Sequence, residues 1–234
     1  MQKTPPQPSL VAHRGDRAGG IENTLNAFDY AAKHGAMFAE CDIQFTREYM
    51  PVVFHDADLE RLCGLCHDIA DLSYDELQRL SATYINIPSL TALLTWLKRT
   101  PQLTLFLEIK EDIGMRKTAH EVAQLMRQSL PKDLYGRIVL ISMAGAMLDA
   151  CKNILPCKTG WVAEGNDQPS LAIDYIFMPF EDVLKTPCII EDWHEKDVQV
   201  GLYTVNNQAA AQQLFKLGAD FVETDRFSDM MVQP

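Results

Sequence analysis

The sequence predicts an α/β chain folded as a (β/α)8 TIM barrel, and three observations lead there. The chain has 234 residues, close to the roughly 250 typical of such a barrel. Short apolar runs alternate with stretches of helical periodicity, which implies crossover units and a parallel sheet. Charged and histidine residues stand at the ends of the predicted strands, where a barrel gathers its active site. Pattern alone leaves an open doubly wound sheet as the alternative; eight strands in a chain of this length favour closure.

The elements follow in order. A first apolar run, Leu10–Ala12, ends at His13. Helical periodicity from Glu22 to His34 is closed by Gly35. Met37–Thr46 is the second strand, with Pro51–His55 counted as its extension. Leu90–Lys98 reads as helix, Leu103–Lys110 as the clearest strand, and about Thr118 to Leu130 as the next helix. Arg137–Met143 is a strand and Met147–Ile154 a helix; Thr159–Ala163 and Tyr175–Met178 are short strands. Ile189–Lys196 is helical, Gln199–Val205 a strand, Ala209–Leu217 a helix ended by Gly218, and Asp220–Thr224 the last strand. No linker, repeat or low-complexity tract interrupts the series. The expected organisation is one domain over residues 1–234, with residues 1–9 a flexible tail.

Composition narrows the function classes. An apolar share of 47% and a charged share of 23% are ordinary for a globular protein. The net charge of -11 argues against a nucleic-acid partner, whose phosphates need Lys and Arg. It leaves a phosphate substrate open, because a bound divalent cation reverses the local field. The opening residues MQKTPPQPS lack the apolar run of a secretory signal. No stretch reaches the ~18 apolar residues of a membrane helix, and no membrane anchor is expected. Cys41, Cys63, Cys66, Cys151, Cys157 and Cys188 then read as reduced thiols in a cytoplasmic protein. Nothing in the sequence sets an oligomeric state.

Polar groups at strand ends carry the chemistry. His13-Arg14-Gly15 ends the first strand, Glu40-Cys41-Asp42 lies in the second, His55-Asp56 ends its extension, and Glu108 and Lys110 end the third. Side chains alternate along a strand, so Glu40 and Asp42 share one face with Cys41 opposite. Glu108 and Lys110 likewise share a face, with Ile109 opposite. Three carboxylates aimed at one barrel mouth repel one another unless a cation stands between them. All-oxygen ligands suit Mg²⁺ or Ca²⁺. The structural alternative is a set of buried ion pairs such as Lys110 with Glu108. Two such clusters at neighbouring strand ends, flanked by two histidines, exceed what packing needs. His13 and His55 are suited to proton transfer, since imidazole titrates near neutrality.

Taken in order, His13-Arg14-Gly15, Glu22-Asn23-Thr24 with Ala27-Phe28, Glu40-x-Asp42, Thr46 and Val53-x-His55-Asp56 resemble the glycerophosphodiester phosphodiesterase family, in its cytoplasmic bacterial form. The match continues through Asp58-Leu59-x-Arg61, Ile87-Pro88-Ser89-Leu90, Leu107–Lys110, Thr204-Val205-Asn206, Gly218-Ala219-Asp220 and Thr224-Asp225. The resemblance covers about residues 10–226. It implies one divalent cation held by Glu40, Asp42 and Glu108, and an acid/base pair of His13 and His55. It implies that Arg14 and Lys110 hold the phosphate. It also implies a small-molecule glycerophosphodiester substrate, split into an alcohol and glycerol 3-phosphate. Attack by the glycerol 2-hydroxyl, through a cyclic phosphate, is the route the family suggests.

Two positions and one segment depart from the family pattern. Ile21 replaces the usual Pro before Glu-Asn-Thr, and Tyr203 replaces the usual Trp before Thr-Val-Asn, which puts Tyr203 among the substrate-binding residues. Asp71–Ile87 reads as a shortened capping insertion after the second strand. The competing readings are a phospholipase D-like enzyme on lysolipids or sphingolipids, and a barrel that only binds phosphate. The first lacks an amphipathic basic helix here, and the second predicts a lost His or carboxylate, whereas none is missing.

Other features have simpler readings. Cys63-Gly64-Leu65-Cys66-His67 fits haem attachment, but reads as two ordinary loop thiols. Glu181-Asp182 and Glu191-Asp192 read as solvated acids. Trp161 and Phe177 read as core, and His34, His67, His120 and His194 as surface residues.

Overall fold

The structure, a computed structural model, describes residues 8–164 and 168–231. Eight parallel strands close into a barrel: β1 (Ser9–Ala12), β2 (Phe38–Phe45), β6 (Thr104–Ile109), β7 (Ile138–Ser142), β8 (Lys158–Val162), β9 (Tyr175–Pro179), β10 (Gln199–Tyr203) and β11 (Phe221–Thr224). Closure comes from β1, which pairs in parallel with β11 along its length and with β2 at Ala12–Ala39. A ninth strand, β3 (Pro51–Val53), pairs antiparallel with the end of β2, the extension expected from the sequence.

Helices α1 (Leu25–Lys33), α4 (Leu90–Lys98), α5 (Ala119–Ser129), α6 (Gly145–Ile154), α8 (Ile189–His194) and α9 (Gln208–Lys216) correspond to the six helices read from the sequence. Their apolar stripes meet the outward faces of the strands. Phe28, Leu93, Leu97, Met126 and Cys151 pack with Cys41, Ile43, Leu107 and Ile109 on one side of the barrel. Ile190, Ala211 and Leu214 pack with Ile176, Val200, Leu202 and Val222 on the other.

Inward-facing side chains fill the barrel. The rings of Phe38, Phe106, Tyr175 and Phe221 interlock with centroids 5.0–6.1 Å apart, and Phe177 meets Phe106 at 4.9 Å. Together they close the barrel beneath the strand C-termini. The rings need room, and the sequence supplies it with glycine. A Cβ on Gly201 would lie 2.4 Å from the Phe177 ring, and one on Gly160 would lie 2.9 Å from Tyr175 Cβ. Above this aromatic floor the inward positions turn polar: Glu40 follows Phe38, Glu108 follows Phe106, and Glu223 follows Phe221, each two residues on and on the same face.

Several expectations are corrected. The first helix starts at Leu25, not Glu22, because the Thr24 side chain caps it by accepting from Ala27 N–H at 3.4 Å. Glu22 and Asn23 are thereby left in the turn before the helix. The flexible tail cannot run to residue 9, since Ser9 is already paired with Phe221; residues 1–7 lie outside the described residues.

The insertion after β3 begins well before Asp71. It holds a hairpin of β4 (Asp58–Leu59) and β5 (Leu65–Asp68), a short helix α2 (Glu60–Cys63) between them, and α3 (Tyr74–Ser81). It has its own apolar cluster of Leu59, Cys63, Ile69, Leu77, Ile85 and Ile87 around Val52 and Phe54. Of this pair, Cys63 is therefore a buried packing residue and Cys66 an exposed thiol. Helix α3 is fixed by a capping box between Ser73 and Glu76. Two further helices unforeseen in the sequence, α7 (Phe180–Lys185) and α10 (Phe227–Met231), are only 6 and 5 residues long, too short to show periodicity.

Candidate active site

The His-Arg-Gly turn after β1 builds one side of the site. Arg14 and Gly15 both have left-handed backbone, φ 54° and 85°. At Gly15 a side chain is excluded, because its Cβ would lie 2.7 Å from Ala27 Cβ on α1. At Arg14 the strained conformation, which costs on the order of 1–3 kcal/mol, is held by hydrogen bonds: Arg14 N–H to Glu40 Oε2 at 3.1 Å and Asn23 N–H to Arg14 C=O at 2.9 Å. This turn lets the Arg14 side chain run back across the barrel mouth. Its Nε lies 3.1 Å from Asp42 Oδ2 and its Nη1 3.0 Å from Glu22 Oε1.

The predicted carboxylates converge. Parallel register sets Asp42 of β2 opposite Glu108 of β6, with Glu40 two residues back on the same face. One oxygen from each of Glu40, Asp42 and Glu108 lies within 4.8 Å of the others. Lys110 Nζ donates to Glu108 Oε1 at 2.9 Å and lies 3.5 Å from Asp42 Oδ1, so the ion pair weighed from the sequence does form. It does not satisfy the cluster. Glu40 Oε1 and Asp42 Oδ1 are buried with no hydrogen-bond partner, which natural interiors rarely tolerate. Two unpartnered oxygens in an all-oxygen donor set fit a hard divalent cation. Cys41 and Ile109 point the other way, into the apolar core.

Both histidines face the same cavity, each oriented by a carboxylate. His13 Nδ1 lies 2.8 Å from Asp225 Oδ1, and His55 Nδ1 lies 2.6 Å from Asp56 Oδ1. Each Nε2 is thereby left for the cavity, and that of His13 is 3.9 Å from Glu40 Oε2. A second ring of contacts fixes the orienting groups. Asn206 donates to Asp225 Oδ2 at 2.9 Å, Asn23 to Asp42 Oδ2 at 2.7 Å, and Arg61 Nε to Asp56 Oδ2 at 2.6 Å. Arg61 also grips Glu22, at 2.6 Å, and so ties the insertion to the His-Arg-Gly turn. The cavity has a volume of about 210 Å³. Tyr203 lines it and donates its hydroxyl to Glu164 at 2.9 Å. Ile141, Val162 and Phe177 form its apolar wall. A larger cleft of about 420 Å³, between α1 and the insertion, contains none of these groups.

Seven of the eight residues singled out in the sequence line one cavity, and the eighth, Asp42, lies buried against two of them, Arg14 and Lys110. Asp225, Asp56, Glu22, Asn23, Arg61 and Asn206 enter the sequence reading only as parts of the family pattern, which gives them no role. Glu223 is not part of that pattern. It is buried at the base of the cavity, and its Oε1 has no partner. A charge inside the apolar run Phe221-Val222-Glu223-Thr224 was the available signal, the same one that marked Glu108.

The electrostatics show strain that a cation would relieve. Burial, then the charge of Asp42, pushes Glu108 up to about 7. Burial, then Glu108 and Asp42, pushes Glu223 up to about 8. Glu40 is raised well above the ordinary carboxylate range by burial and by Asp42 and Glu223. Asp42 is the exception: burial opposes ionisation, but Arg14 and Lys110 hold it below the ordinary value. Asp225 falls to about 2, because hydrogen bonds from His13 and Asn206 outweigh its burial. Burial lowers His55 and so favours the neutral ring.

The sign for stability follows. The raised carboxyls bind more protons folded than unfolded between about pH 4.3 and the folded values near 7 and 8. Stability in EDTA is therefore expected to fall as pH rises from about 5 to 8. A flat thermal-unfolding midpoint over that range would show that these carboxyls ionise without cost.

A family model described as "Glycerophosphoryl diester phosphodiesterase family" matches residues 13–228. The chain belongs to the glycerophosphoryl diester phosphodiesterase family. A glycerophosphodiester phosphodiesterase of Bacillus altitudinis is 23% identical over 247 residues, covering 96% of each chain. A glycerophosphodiester phosphodiesterase of Parabacteroides distasonis ATCC 8503 superposes with a TM-score of 0.83 at 22% identity, over 95% of this chain and 94% of that one. A phosphodiesterase of Oleispira antarctica, solved with its product sn-glycerol-3-phosphate, superposes with a TM-score of 0.79 at 22% identity, over 96% and 95% of the two chains. The glycerophosphoryl diester phosphodiesterase match spans His13 through Ser228 and so includes every group of the cavity. Among the described residues no helix is long and apolar enough to cross a membrane.

Proposed function

We propose that the chain hydrolyses small glycerophosphodiesters to an alcohol and glycerol 3-phosphate, with a divalent cation, Mg²⁺ or Ca²⁺, and the pair His13 and His55 as acid and base. The observation that carries this reading is the joint convergence on one cavity of the Glu40–Asp42–Glu108 triad and two carboxylate-oriented imidazoles. A cation held by the triad would supply Lewis-acid polarisation of a phosphoryl oxygen.

The protein's own groups do the rest. Arg14 and Lys110, already facing the triad, hold the diester and offset the negative charge that builds on its oxygens. Asp225 and Asp56 fix which imidazole nitrogen faces the substrate. One Nε2 takes the proton from the attacking glycerol 2-hydroxyl as its oxygen bonds to phosphorus. The other gives a proton to the alcohol oxygen as its bond to phosphorus breaks. The cyclic phosphate so formed is opened by water to glycerol 3-phosphate, with the acid and base roles exchanged. Buried walls exclude water from these contacts and strengthen each of them. The cavity of about 210 Å³ adjoins an open cleft of about 620 Å³ that shares His55 and Lys110 with it, which gives the alcohol group a place beside the reacting groups.

The deciding assay is release of glycerol 3-phosphate from glycerophosphocholine. Release is expected, with loss of activity in EDTA and recovery on adding Mg²⁺, Ca²⁺ or Mn²⁺. The same ions should remove the fall in stability between pH 5 and 8. Full turnover in rigorously metal-free protein would overturn the cation's part.

A further inference from the structure

Within the cavity, one group has no part in the chemistry above. Glu223 projects inward from β11, one step above the aromatic floor and in register with Val11. It is only 4% exposed, and its Oε1 is buried without a hydrogen-bond partner. The cationic side chains of the cavity are committed elsewhere: Arg14 to Asp42 and Glu22, Lys110 to Glu108 and Asp42. Neither reaches Glu223. The cavity lining also includes Ile141, Val162 and Phe177, which carry no polar side-chain atom, and Tyr203, whose hydroxyl is donated to Glu164. A buried carboxyl oxygen without a partner costs roughly 1–3 kcal/mol, a cost that a hydrogen bond from the ligand would remove.

We infer that Glu223 is a specificity-determining residue that receives a hydroxyl of the polyol part of the substrate, so that the site selects phosphodiesters whose ester carbon chain bears a free hydroxyl. The inference rests on the phosphodiesterase reading above and adds what distinguishes the polyol from a plain alkyl chain. The partner must come from the ligand and enter beside an apolar wall, one layer below the phosphate-holding groups. A hydroxyl meets these demands, since it both donates and accepts and so suits Glu223 in either protonation state. A site built to hydrogen-bond a hydroxyl discriminates strongly against the analogue that lacks it, because its own polar group is then left unpaired.

The test compares sn-glycerol 3-phosphate with n-propyl phosphate, which has the same carbon chain without hydroxyls. Binding is measured by calorimetry on Ca²⁺-loaded protein. Wild type is expected to prefer glycerol 3-phosphate by at least ~10-fold. Glu223→Leu should abolish that preference while leaving propyl phosphate and Ca²⁺ affinity unchanged; Glu223→Gln should largely keep it. Glu223→Ala gives the same comparison if the leucine variant does not fold. Equal losses for both phosphates, a preference that survives Glu223→Leu, or weakened Ca²⁺ binding would each overturn the assignment. The parent reading fails separately: wild type would then release no glycerol 3-phosphate from glycerophosphocholine.

Discussion

Replacing His13 or His55 by alanine is expected to lower kcat by at least ~10²-fold in each case, the scale of a positioned acid or base. The double variant should lose far less than the product of the two, because groups that move one proton inventory act as a unit. Cation affinity should hold, since neither imidazole belongs to the triad. A diester with p-nitrophenol as its leaving group separates the roles. That alcohol departs without a proton, so the variant lacking the acid should recover in part while the variant lacking the base stays inactive. Equal rescue of both, or of neither, would refute the division of labour. Asp225→Asn and Asp56→Asn should show weaker forms of the same defects, because each acts only through the ring it orients.

Removing a carboxylate of the triad is expected to be at least as damaging, and by a different route. Glu40→Ala and Asp42→Ala should lose cation affinity and turnover together. The loss should exceed the ~10–100-fold that outer-shell partners usually cost. Asp42→Ala should do more harm than Glu40→Ala, since Asp42 also meets Arg14, Lys110 and Asn23. Cys41→Ala lies between them in sequence but points into the apolar core. It should cost some stability and leave turnover intact. Calorimetric titration of the cation, read beside turnover, checks all three. If Cys41→Ala impaired turnover as Glu40→Ala does, in a folded protein, the alternation along β2 would not govern the site.

The barrel was legible because its signals are local and repeated. Leu90–Lys98 matches α4 residue for residue, since Ser89 caps it and Leu90, Leu93, Leu94 and Leu97 form an apolar stripe. The triad was legible because a carboxylate in an apolar strand needs a cause, and period-two alternation says which carboxylates share a face. The insertion was less so. Its hairpin pairs two residues with four and has no long periodic run, while its stability comes from contacts such as Phe54 with Leu77 and Ile87 that are distant in sequence. The orienting groups were hidden for a related reason. Asp225 meets His13 across 212 positions of chain, a separation that closure of β1 against β11 abolishes and no local pattern announces. Glu223 is different: it carries the same signal as Glu108, a carboxylate within an apolar strand, next to the Thr224-Asp225 pair that marks the end of β11.

The aromatic plug makes the barrel a cup with one opening. Phe38, Phe106, Tyr175, Phe177 and Phe221 seal the far end, so there is no through-passage along the axis. Substrate, departing alcohol and incoming water must all use the opening at the strand C-termini. An alcohol still standing in that opening would shield phosphorus from solvent, and its departure would admit water. A bulkier alcohol is expected to lower kcat by leaving that opening more slowly, with every reacting group unchanged.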